Sequence, residues 1–131
     1  MSKTIKMSKD YLSNIESLKE VKKETKKVIE NIYDGFMNEF NKNNYDYAIE
    51  NLVNEYRYVP RGKCVSNGVY IRFIDVKDME RIQLHKGGFV LMDNGYTMTF
   101  KSEEKSYKLN RGHIILFVKI KENERLRLAL I

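Results

Sequence analysis

His113-Ile-Ile-Leu-Phe-Val-Lys-Ile120 is the longest apolar run in the chain. In extended backbone Ile114, Leu116, Val118 and Ile120 fall on one face, Ile115 and Phe117 on the other. A strand apolar on both faces belongs inside a sheet, with material packed on each side. The rest of the chain must supply neighbouring strands and both coverings.

The sequence on either side of this run alternates in short segments separated by turn residues. Upstream, Asn67-Gly68 between Arg61–Ser66 and Val69–Val76 predicts a two-residue hairpin. Arg81–His85, Phe89–Met92, Tyr96–Phe100 and Ser106–Leu109 follow, punctuated by Gly87-Gly88, Asp93-Asn-Gly95 and Ser102-Glu-Glu-Lys105. Downstream, Arg125-Leu-Arg-Leu-Ala-Leu130 alternates basic or small residues with leucine and predicts a last strand. About six to eight strands at this spacing form a strongly bent antiparallel meander, a pattern that extends to a barrel.

The first 60 residues have helical period instead. A helix is expected from Ser8 or Ser13, where Ser13-Asn-Ile-Glu16 fits a capping box, through Phe40. Tyr11, Leu18, Thr25 and Ile32, with Val21 and Val28 between them, form a narrow heptad seam suited to a partner helix, in a homodimer through this helix or a hetero-complex, and equally to the inner face of a helix packed within the fold. The apolar stripe widens at Ile29, Tyr33, Phe36, Met37 and Phe40. Such a helix would reach roughly 45–50 Å. Gly35 is a site for a bend. Asn41-Lys-Asn-Asn44 breaks the pattern, and a second helix is expected from Tyr45 to Arg57, ended by Val59-Pro60. The fold class is therefore α+β: two N-terminal helices (1–60), then the meander (61–131), in a single domain.

The 131 residues carry 42% hydrophobic and 32% charged side chains and a net charge of +6. Residues 61–131 hold fourteen basic and eight acidic side chains; residues 28–60 hold two and six. The β-rich part is thus basic, which attracts nucleic acid or an acidic protein partner. A Lys-rich solvated surface has the same composition. One cysteine, Cys64, rules out an intrachain disulfide and fits a cytoplasmic setting; no apolar run is long enough for a membrane span. Abundant Lys, Asn, Ile and Tyr, which have AT-rich codons, together with the small size, suit a phage or mobile-element protein.

No catalytic, metal or nucleotide motif stands out, so no cofactor is expected and an enzyme is the less favoured class. His85 and His113 form an acid–base pair only if the fold joins them, as in a small ribonuclease. Asp75, Asp78 and Glu80 cluster at a turn, where carboxylates are commonplace. Gly87-Gly88 lacks the strand–loop–helix setting of a phosphate-binding loop. The strongest pattern interleaves aromatic and basic residues. Tyr56, Tyr58 and Tyr70 would stack on unpaired bases, while Arg57, Arg61, Lys63 and Arg72 would hold phosphates. The expectation is a small, non-enzymatic binding module. Its alternative is a protein-interaction or inhibitor module, with the Lys19–Lys27 face docking on acidic protein.

Overall fold

The computed structural model describes residues 17–130. Helix α1 (Leu18–Tyr33) and helix α2 (Glu39–Leu52) precede strands β1 (Tyr56–Val59), β2 (Tyr70–Asp75), β3 (Gln83–Asp93), β4 (Thr97–Ser102) and β5 (Lys105–Asn110). A 3-10 turn (Arg111–His113), strand β6 (Ile114–Lys119) and helix α3 (Glu122–Ala129) complete the chain. The fold is α+β. Six antiparallel strands form one sheet in the order β1-β6-β2-β3-β4-β5, open at β1 and β5. The run that decided the reading, β6, lies inside the sheet, with Phe117 fully buried on the helix side and Leu116 nearly so on the other.

Ser17 caps α1 by accepting a hydrogen bond from the Glu20 amide. The expected starts at Ser8 and Ser13, and Tyr11 of the seam, lie outside the described residues. Val21, Thr25, Ile29 and Tyr33 recur every fourth residue and are buried. Thr25, which interrupts the apolar seam, donates its hydroxyl proton to the Tyr56 carbonyl. Tyr33 donates to the Ile82 carbonyl, and burial pushes its pKa up.

The first helix stops at Tyr33 instead of Phe40. Gly35 adopts φ +83°, a left-handed conformation that glycine takes freely, so the chain turns there. Phe36 and Met37, expected to extend the packed stripe, are exposed in the turn. The second helix starts six residues before its expected start, and Asn41-Lys-Asn-Asn44 lies within it. Asn38 provides the cap, accepting from the Asn41 amide at 2.7 Å. Asn41 is fully buried. It donates to the carbonyls of Phe36 (2.6 Å) and Met79 (2.9 Å) and accepts from the Ile82 amide at 2.8 Å. A residue type that usually breaks helices here joins α2 to the 79–82 turn.

Tyr56 and Arg57, expected at the end of the second helix, begin β1. Its Tyr56 and Tyr58 face the helices, among Ile29, Leu52 and Phe117. Arg61–Ser66 is not a strand, and Asn67-Gly68 does not turn a hairpin. Strands β1 and β2 are each antiparallel to β6 and so run parallel to each other. Their connection must travel back along the sheet. Residues 60–69 do so as a strap across the face away from α1 and α2, where Val65 packs against a second core of Val59, Ile71, Phe73, Val90, Met98, Phe100, Ile114 and Leu116.

Arg81–His85 and Phe89–Met92 are one strand, because Gly87-Gly88 continues β3 instead of turning. A Cβ at Gly87 would lie 1.7 Å from the Ile71 carbonyl oxygen, and one at Gly88 2.1 Å from that of Lys101. The glycines admit neighbouring backbone. Irregular pairing opposite Arg72 and at Leu91 marks two bulges in β3, which bend the sheet. The Phe73 and Phe100 rings meet at 5.7 Å across the intervening β3. The sheet curls without closing, so the barrel extension of the sequence pattern is not realised.

Arg125–Leu130, expected as a strand, lies mostly in α3. Leu128 packs with Val21 and Ile120, an attachment that alternation alone does not reveal.

Candidate nucleic-acid interface

The seven sequence-predicted residues do not share one surface. Tyr56 is 5% exposed, inside the helix-side core, where burial pushes its hydroxyl pKa up to about 12. Tyr58 is half-buried and packs against the same core, with its ring 6.2 Å from that of Phe117. Arg57 faces the other way and pairs with Glu124 of α3. Arg72 lies at the edge of α2, donating to the His85 carbonyl and Asn51 Oδ1, with its guanidinium 5.7 Å from the Tyr47 ring centroid. Arg61 and Lys63 are exposed on the strap. Tyr70 is half-buried and, of the three tyrosines expected to stack, is the one that borders an open part of the sheet.

That open part is created by the helices. They cover β1, β6, β2 and the start of β3, but not the outer face of the remaining sheet. Strand register assigns its residues: Phe89 opposite Lys101, Met92 opposite Thr99, Thr99 opposite Lys108, Thr97 opposite Asn110. Phe89 is 55% exposed and Met92 63%, with Leu91 exposed at the bulge between them. Tyr70 and Phe89 pair across β2 and β3, edge to face, with ring centroids 5.0 Å apart. Lys101 and Lys108 are exposed beside them.

Two pockets border this face. One, of about 400 Å³, is lined by Tyr70, Phe89, Lys119, Ile120, Lys121 and Glu122 among others. The other, of about 420 Å³, lies by the β3–β4 turn, where Thr97 and Asn110 meet Arg61 of the strap, Tyr96 and Arg111. Tyr96 is 82% exposed. From Lys101 to Thr97, strand β4 covers roughly 13 Å at ordinary strand rise. The face therefore has its aromatic residues toward one end and lysines along it, with the exposed Tyr96 at the β3–β4 turn beyond the other end, a layout sequence spacing could not supply. Phe89 and Tyr96 each open a predicted strand, and alternation alone does not reveal that both rings stay exposed.

The strap end of this face is held by a buried ion pair. Asp93 Oδ2 accepts from Arg111 Nη1 at 2.6 Å and from the Val65 amide at 2.9 Å; Oδ1 accepts from the Gly95 amide. Arg111 Nη2 donates to the Lys63 carbonyl at 3.0 Å. Burial acts to raise the Asp93 pKa, but the Gly95 and Val65 amides and Arg111 outweigh it and hold the carboxyl below its ordinary value.

The two histidines occupy different settings. His85 stacks on Phe73 at 5.1 Å and lies 4.0 Å from Asp75 Oδ2. His113 is exposed at the end of the 3-10 turn, and the pocket beside His85 is lined without it. Asp75 and Asp78 cap local turns, accepting from the amides of Lys77 and Glu80. Among the described residues no group of three or more His, Cys, Asp or Glu is placed to hold a metal ion, and no helix is long and apolar enough to cross a membrane. No protein-family model, curated protein or solved structure matches this chain.

Proposed function

We propose that this protein is a small, non-enzymatic, basic module that binds single-stranded nucleic acid along the open outer face of β3, β4 and β5. The observation that carries the reading is the exposed Phe89 ring, braced by the half-buried Tyr70, with Lys101 and Lys119 beside it and Lys108 further along a sheet face that the helices leave bare. Aromatic rings stack on any unpaired base, and lysines follow the phosphates without reading sequence. Arg61 and Tyr96 extend the track at the β3–β4 turn. Of the residues proposed from sequence, Tyr70 and Arg61 fit this track; Lys63, on the strap across the other face, and Tyr56, Tyr58, Arg57 and Arg72 lie off it.

The test is fluorescence anisotropy of labelled single-stranded RNA, single-stranded DNA and duplex DNA at several salt concentrations. About four phosphate contacts would give a log–log salt slope near −2.8 for a single strand. Absence of binding at low salt refutes the reading.

One observation favours a second reading, a protein-interaction or inhibitor module of a phage or mobile element, acting in a reducing cytoplasm. Strand β5 is an unpaired edge, and Leu91 and Met92 are exposed on the same half of the sheet. An acidic protein strand could pair there. A homodimer through α1 is less suited, since Val21, Thr25 and Ile29 already pack inward. A stable one-to-one protein complex without nucleic-acid binding would select this reading.

A further inference from the structure

We infer that the pocket beside Tyr70 and Phe89 is a subsite for one unstacked base and prefers guanine; this rests on the single-strand reading above. Its volume of about 400 Å³ is near the lower end of ligand pockets, roughly 300–1,000 Å³. Phe89 stands at 80° to Tyr70, so Tyr70 braces it and leaves a broad ring face free for stacking. Lys119 and Lys121 lie on the rim, where they meet the phosphates on either side of a base turned into the pocket.

Glu122 is the carboxylate in that lining, and it makes no side-chain hydrogen bond or ion pair with a described residue. A carboxylate only accepts hydrogen bonds. Guanine alone presents two adjacent donors on its pairing edge, N1–H and the N2 amino group, which match two carboxylate oxygens. Adenine and cytosine offer one donor beside a ring-nitrogen acceptor, and uracil one N–H between two carbonyls. Those acceptors would face Glu122 unfavourably.

The experiment compares a short labelled uridine oligonucleotide with counterparts carrying one central guanosine, inosine, adenosine or cytidine, and with the matching thymidine-based DNA set. Anisotropy is read at one low salt concentration with the full chain and with Glu122→Gln. Guanosine is expected to tighten binding roughly tenfold over uridine, and inosine, which lacks the N2 amino group, to lose most of that gain. Glu122→Gln should erase the guanosine advantage without weakening the uridine oligonucleotide. A role confined to the first turn of α3 would change thermal stability and leave base preference intact. Equal binding of all oligonucleotides overturns the subsite and leaves the interface standing. A guanosine preference that survives Glu122→Gln overturns the role of Glu122. If no oligonucleotide binds, the interface itself fails and the subsite with it.

Discussion

Replacing Asp93 by alanine should detach the strap that seals the second core. The side chains of Arg111 and Asp93 are 6% and 0% exposed. Removing the carboxylate leaves a guanidinium buried with only the Lys63 carbonyl as partner, and strips acceptors from the Val65 and Gly95 amides. Breaking one partner out of a buried pair costs about 3–5 kcal/mol. For a chain of this size each kcal/mol moves Tm by about 4 °C, so the variant should melt roughly 12–20 °C lower. The sign with pH follows from the lowered carboxyl. Its contribution is fully present above the unfolded pKa of 3.8 and is lost as pH falls through the lower folded value. The stability gap between wild type and variant should therefore be constant near neutrality and close only in strong acid. Thermal melts followed by circular dichroism across pH, for Asp93→Ala, Arg111→Leu and the double variant, measure it. The double variant should recover much of the single losses, because it leaves no unpaired buried charge. A loss below about 1 kcal/mol, the value of a screened surface pair, would refute this account of the strap.

Asn41→Leu should cost about 3 kcal/mol or more in urea unfolding, since the Ile82 amide and the Phe36 and Met79 carbonyls lose their partner; a neutral result would mean water replaces it. Gly87→Ala should destabilise by about 3 kcal/mol or more because its Cβ would meet backbone that must shift, whereas Gly35→Ala, with open space but a left-handed φ, should cost only about 1–2 kcal/mol. Equal losses in chemical denaturation would contradict that distinction. For binding, Phe89→Ala should weaken single-strand affinity by about fivefold or more through lost stacking, at unchanged salt slope. Lys101→Ala combined with Lys108→Ala should flatten that slope by about 1.4. Anisotropy titrations that found the two effects exchanged would remove the division into stacking and phosphate residues.

Sequence alone determined the elements whose signal is local. Two faces of apolar residues placed Ile114–Lys119 inside a sheet, and the widened apolar stripe placed Ile29 and Tyr33 against it, because burial writes its period directly into the chain. The basic character of residues 61–131 was equally legible. Tertiary structure decided what local pattern leaves degenerate. Asn41 could sit in a helix only because one carbonyl and one amide, 38 and 41 residues downstream, and the Phe36 carbonyl of the preceding turn satisfy it. Tyr56 matched the period of the helix before it, yet its partners are on α1 and β6. The leucines near the C-terminus alternate like a strand, but Leu128 is buried by Val21 and Ile120. Gly87 and Gly88 read as a turn until Ile71 and Lys101 are brought against them. The candidate interface belongs to this second group. Which tyrosines are buried and which sheet face stays open depends on where the helices end, and that was settled by Gly35 and Asn41 through contacts between segments distant in the chain.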